Sequence, residues 1–399
     1  MKYWAGYVTA AILAGISWVL MQFGEKFATI LDMVYPYVIR TLQDMLAEWS
    51  GAVDFCLWQM GVMALLVVVI ATVVLMIVCK WNPIRWLGWV LAAVAFVFMC
   101  HTMVWGLNYY AGSVAEDIRL EQREYGLDEL SRAATYYRDM ANDLASKVTR
   151  DANGDVDFAE FEVLADQAAD GFESLVYDYS YSVFAGSNQP VKKLGWAKMY
   201  TSMGITGFTT GLTGEAAVNP LIPDVTLPFT MCHEMAHRKC IAQERDANFA
   251  AFLACMANDS VEYQYSGYFM AYRYCYNALV RANTSESIAA AARVSTGASQ
   301  QLQRDMDYYD NYFASRRSDS ATTLADNVND TYLKASGDEA GVASYNEVSD
   351  LLVWWHYQQV FLPNITVEES HFDPLDEDQV DLSGIVNAKE KEPVEEGVG

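Results

Sequence analysis

The chain has 399 residues, 53% of them hydrophobic, with 51 Asp and Glu against 26 Lys and Arg, a formal net charge of −25. That balance excludes a nucleic-acid surface, which needs clustered cations, and fits a solvated acidic domain. The length suits one large domain beside a membrane portion, or two modest domains, and the long apolar runs all lie before residue 110.

Three apolar segments come first, at about 3–21, 55–79 and 86–105. Each approaches the roughly 20 residues that a membrane-spanning helix requires. A cleavable leader would account for the first alone, but it lacks a small-residue cleavage site and two more spans follow. Lys2, Lys80 and Arg85 fall on one side of three spans. The loop from Phe23 to Asp54 sets Lys26 and Arg40 against Glu25, Asp32, Asp44 and Glu48. The more basic side is cytoplasmic. This predicts a multi-pass protein of the cell membrane, with everything after about Asn108 extracytoplasmic.

The pattern from Ser113 to about Thr149 predicts an amphipathic helix. The run from Asp151 to Glu162 (DANGDVDFAEFE) spaces its acids like a calcium loop but has Val156 where such a loop turns on glycine. An Asn-Gly turn between helices is the reading adopted. Helix is expected again over Phe158–Tyr181. Between Gly195 and Asn219, Gly204, Gly207, Gly211 and Gly214 alternate with Thr and aromatics, which suits strand and turn; the alternative is a glycine-rich connector. A strand just ahead of a metal-binding helix would offer an edge to an extended peptide. Further helices are expected at 242–257, 262–282, 286–314 and 343–360. The stretch 366–399 holds eleven acids against Lys389 and Lys391 and reads as a disordered acidic tail.

The most informative stretch is Cys232-His-Glu-Met-Ala-His237, an H-E-x-x-H pattern, followed by Glu244-Arg-Asp-Ala-Asn248. Residues four apart on a helix share a face, so His233 and His237 can hold one metal ion, with Glu234 beside its open position. Two imidazoles and one carboxylate favour zinc (Zn2+), making His233, His237 and Glu244 the expected ligands and Glu234 the general base for water. Asp246 is a weaker alternative as third ligand, and Cys232 and Cys240 are expected to pack rather than ligate. Asn248, one turn beyond Glu244, is expected to support a ligand. A donor to the transition-state oxyanion is also needed; Tyr263, Tyr265, Tyr268 and His356 are candidates between which the residues do not choose. The four cysteines beyond the spans (Cys232, Cys240, Cys255 and Cys275) sit in apolar stretches and read as free thiols.

Several words of the chain occur in fixed order: Trp105-Gly-Leu-Asn-Tyr-Tyr110, Thr213-Gly-Glu-Ala-Ala-Val-Asn219, Leu227 to His237, Glu244 to Phe249, Tyr265-Ser-Gly-Tyr268, Asn329 to Lys334 and Ser344-Tyr345. In these it resembles a family of bacterial multi-pass membrane proteins known as domain of unknown function 3810, regarded as relatives of zinc peptidases. The H-E-x-x-H…E-x-x-A-N arrangement is also similar to the gluzincin pattern, and that likeness implies Glu244 as third ligand and Asn248 as its support. The gap after His237 is unusually short, and Cys240 stands where the family tends to have glycine; a side chain is disfavoured there if φ is positive.

The expected fold is mainly α: a transmembrane region (1–110), a helical connecting region (111–194), a zincin-like domain with a small β element (195–365) and the acidic tail (366–399). The expected function is a membrane-anchored zinc metallopeptidase that acts on a peptide or protein substrate and takes the lipid bilayer as its other partner. A non-catalytic metal-binding or regulatory protein is the rival from another class. An intramembrane protease is disfavoured because the motif lies in a charged domain well beyond the last span.

Overall fold

The structure, a computed structural model, describes residues 3–335 and 347–363; the predicted acidic tail and the Ser344-Tyr345 word lie outside them. Three helices are long and apolar enough to cross a membrane. They are α1 (Ala5–Gln22), α4 (Leu57–Val78) and α5 (Pro83–Val104). The last begins three residues before the predicted span because Asn82 caps it, accepting from the Arg85 N–H at 3.0 Å, with Pro83 in its first turn. α1 lies against α5 where Gly6 meets Gly88. A Cβ on Gly6 would fall 2.4 Å from the Gly88 carbonyl carbon, the kind of contact that brings two membrane helices close.

The segment expected as a loop between the first two spans is helical instead. It forms α2 (Ala28–Val34), a π-helical turn (Tyr35–Ile39) and α3 (Arg40–Ser50). It docks on the distal domain: Gln43 Nε2 donates to the Gly211 carbonyl at 2.9 Å and Arg40 Nε to the Lys239 carbonyl at 3.2 Å. This segment and the domain therefore sit at the same end of the apolar helices, as three spans require.

After α5, a 3-10 turn (Gly106–Tyr110) leads directly into the domain. Its helices are α6 (Val114–Asp117), α7 (Leu127–Ala145), α8 (Phe161–Gln167) and α9 (Asp170–Tyr177). The predicted helix over 113–149 is thus broken before Gly126, whose N–H donates to Glu129 at the start of α7. The Asp151 segment is a turn: Asp151 Oδ1 accepts from the N–H groups of Asn153 and Asp155, and Gly154 takes φ +88°. Glu162 leaves that turn to pair with Lys193.

The glycine-rich stretch is strand and turn, as its composition predicts. β1 (Lys192–Lys193), α10 (Ala197–Ser202), β2 (Gly207–Thr210) and β3 (Glu215–Val218) follow in order. β3 is central, parallel to β1 and antiparallel to β2, which leaves β2 as an edge strand. Then come α11 (Leu227–Arg238), α12 (Glu244–Ala257), α13 (Val261–Arg281), α14 (Ser285–Thr296), α15 (Gln300–Arg316), α16 (Asp319–Ala335) and α17 (Val348–Trp355), the last continuing as a π-helical turn through Phe361. The helix expected over 286–314 divides at Gly297, after which Ser299 caps α15 through the Leu302 N–H.

One hydrophobic core runs from Val114 on α6 to Val353 on α17, taking in Tyr137 and Ala141 of α7 and Phe249 and Phe252 of α12. The boundary expected between residues 194 and 195 therefore marks no break in packing. All seven cysteines are free.

The domain grips the second apolar helix through a buried charge. Glu215 of β3 accepts from the Leu57 and Trp58 N–H groups at 2.7 and 2.9 Å, where the helix dipole favours an anion. Lys192 Nζ pairs with the same carboxylate at 2.8 Å. Removing one member of a buried pair strands the other. Glu215→Ala is therefore expected to cost about 3–5 kcal/mol in unfolding of the detergent-solubilised chain; a loss below about 1 kcal/mol, the range of exposed pairs, would contradict this role.

Candidate metal centre

α11 is buried along almost its whole length, which its apolar residues dictate, and Ser266 Oγ accepts its otherwise orphaned Phe229 N–H at 3.0 Å. The two imidazoles leave one face on successive turns with ring centroids 4.5 Å apart. Lys239 and Cys240 then reverse the chain. Ile241 N–H donates to Ala236 O at 3.1 Å and Cys240 N–H to His237 O at 3.0 Å, the two bonds of a Schellman motif. Cys240 occupies the left-handed position at φ +68°, so the residue that departs from glycine does so where glycine is favoured. Asn108 Nδ2 donates to the Cys240 carbonyl at 2.7 Å and holds the turn from outside.

This reversal delivers Glu244, the first residue of α12, to the histidines. The ligand atoms of His233, His237 and Glu244 all lie within 4.8 Å of one another. Glu244 Oε2 is 3.3 Å from Nε2 of each histidine, and among the described residues this buried oxygen has no partner in good hydrogen-bond geometry. Three lone-pair atoms thus aim at one point, and a cation there would satisfy all three. His237 Nδ1 lies 2.8 Å from the Ile241 carbonyl; donating that proton leaves Nε2 as the free lone pair. Two imidazoles and a carboxylate, with His233 the least buried of the three, fit a zinc ion with an open fourth position.

Charges are arranged accordingly. Burial raises the Glu244 carboxyl, but the adjacent His237 and His233 outweigh it and hold the group well below the usual carboxylate range. Burial likewise opposes protonation of His237, but Glu244 prevails and pushes it up to about 9. Glu234 moves the other way: burial raises its carboxyl above the ordinary value, and the two histidines and Thr209 offset only part of that. Thr209 Oγ1 of β2 donates to Glu234 Oε2 at 2.6 Å. A Cβ on Gly207 would lie 2.2 Å from Glu234 Oε1, so the edge strand approaches this carboxylate as closely as glycine permits.

Other expected residues lie elsewhere. Asp246 accepts from the Val114 N–H at 2.9 Å and from Arg245, on another face of α12. Asn248 is buried, and its Nδ2 has no hydrogen-bond partner among the described residues. Tyr263 donates to the Leu164 carbonyl and Tyr265 to Asp305, which also pairs with Arg150. Tyr268 and His356 pack tilted or edge-on against Tyr136 and Tyr137. The described partners of all four lie outside the ligand group. Cys232 packs beside the Ala168 carbonyl. Sequence reasoning missed Thr209 and Gly207, although the glycine spacing had marked their segment. It missed Trp105, whose ring stands edge-on to His237 at 5.6 Å, and Tyr274, which packs on Phe229 one turn before His233.

A metal ligand must be deprotonated. Because His237 is raised to about 9, zinc binding near pH 7 is expected to displace its proton, and the release should fade as pH rises through 9. Calorimetry in buffers of different ionisation enthalpy reads this as about one proton per zinc at pH 7; heats independent of the buffer at that pH would contradict it.

No curated protein and no solved structure matches the chain. One family model, described as "Protein of unknown function (DUF3810)", matches residues 32–353. That span runs from α2 into α17 and includes the ligand group, the sheet and two of the three apolar helices. The chain belongs to the DUF3810 family.

Proposed function

We propose that this chain is a membrane-anchored zinc metallopeptidase whose domain faces the extracytoplasmic side. The observation that carries the reading is the convergence of His233 Nε2, His237 Nε2 and Glu244 Oε2 on one point, with the Glu234 carboxylate and a strand edge beside it. A zinc ion held there supplies a Lewis acid that activates water and polarises a scissile carbonyl. Glu234, whose carboxyl burial raises above its ordinary value, would accept a proton from the water and return it to the leaving amine. Thr209 fixes the rotamer of that carboxylate. The open edge of β2 gives an extended peptide a backbone to pair with, which sets the scissile bond over the ligand group.

The non-catalytic reading leaves Glu234 without a purpose, since a structural site has no need of an extra carboxylate whose burial is costly. The side of the membrane rests on the basic residues Lys2, Lys80 and Arg85, which the sequence puts on one side of three spans.

Glu234→Gln preserves shape and removes the base. Peptide-library cleavage by the full chain in detergent is expected to fall by about 10²–10⁴ with zinc content unchanged, while Glu244→Ala loses the zinc. Parental cleavage by the Glu234→Gln chain would sink the proposal.

A further inference from the structure

The ligand group lies far along the sequence from the apolar helices but is built directly on their ends. Trp105, the first residue after α5, touches His237. At Gly211, in the β2–β3 turn, a Cβ would lie 3.2 Å from Val104 and 3.3 Å from Trp105. At the other end of β2, Phe208 packs at a tilt against Trp58 in the first turn of α4, centroids 4.7 Å apart. β2 therefore bridges the ends of the second and third apolar helices, and the peptide-binding edge lies at the level where those helices leave the bilayer.

The neighbouring surface is apolar. Gln59, in the first turn of α4, holds Gly195 through both its N–H and its carbonyl. This seats the next residues at that level, with Trp196 48% and Met199 49% exposed. Phe208 is 42% exposed. α16 links the same two regions: the Ser318 N–H bonds the Ser202 carbonyl at the end of α10, and Leu333 is buried with Trp105 and Tyr109. It exposes Leu324 and Val328, four residues apart. Aromatic and aliphatic groups in this position suit the bilayer interface, and α4, exposed along nearly its full length, continues the apolar surface below them.

We infer that the substrate is a membrane-anchored polypeptide, cut in the segment that emerges from the bilayer. The inference rests on the peptidase reading. A chain rising from the membrane reaches β2 within a few residues, whereas a soluble folded protein has to offer an extended segment at the lipid surface.

The test uses the zinc-loaded full chain in phosphatidylcholine vesicles. A degenerate peptide library is presented on a single transmembrane anchor through a long polar spacer, and the same library is supplied free in solution. Mass spectrometry is expected to place the cuts within roughly the first five residues beyond the bilayer, given about 3.3 Å of reach per residue. The anchored library should be cleaved on the order of 100-fold more efficiently. The double variant Trp196→Glu, Met199→Glu, which leaves the ligands and β2 intact, should lose that advantage and cleave the free library at the parental rate. Cuts spread along the spacer, or equal cleavage of both libraries, would overturn this inference and leave the peptidase reading standing. Cleavage of neither would overturn both.

Discussion

The candidate centre depends on one tight reversal of the chain. Between His237 and Glu244 the backbone must leave one helix, turn, and start the next with a carboxylate facing back onto two imidazoles. The Schellman bonds of Cys240 and Ile241 do this, at the cost of roughly 1–2 kcal/mol for a side chain in the left-handed region. Burial of Ile241 and the bond from Asn108 offset that cost, and so does the Arg40 bond to the Lys239 carbonyl. Asn108 follows the third apolar helix and Arg40 lies between the first two, so the turn is braced by the segments that join the apolar helices to the domain.

The same coupling appears at the sheet. Glu215 caps the second apolar helix while its strand pairs with β2, and β2 carries Thr209 to Glu234. A displacement of the helix end would reach the Glu234 carboxylate through two short connections. The apolar helices thus form part of the scaffold that shapes the site.

Much of this was legible in the sequence because the signals are local. The three long apolar helices follow from uncharged apolar runs, and the His233–His237 pairing follows from helical periodicity. Glu244 followed from its spacing, and the strand character of 207–218 from its glycines. What escaped depends on contacts distant in sequence. The segment 28–50 carries an amphipathic pattern over Arg40–Ser50, but its docking on Gly211 and Lys239 joins residues far apart in sequence. α16, rich in Thr, Asn and Asp of low helix propensity, is held by Ser202 at one end and Trp105 at the other. Tyr265, Tyr268 and His356 were reasonable donors by chemistry, but no periodicity reveals that Asp305 and an aromatic cluster claim them. Thr209 reaches Glu234 only through strand pairing, and Trp105 reaches His237 only because the domain folds back onto the apolar helices.

The most direct test of the central claim is zinc X-ray absorption on the purified full chain. The account predicts one zinc whose first shell holds imidazole nitrogens at about 2.0–2.1 Å and carboxylate or water oxygens at about 2.0–2.2 Å. A sulfur shell at about 2.3 Å would hand the site to the nearby cysteines, and a chain that binds no zinc would remove the metal centre altogether.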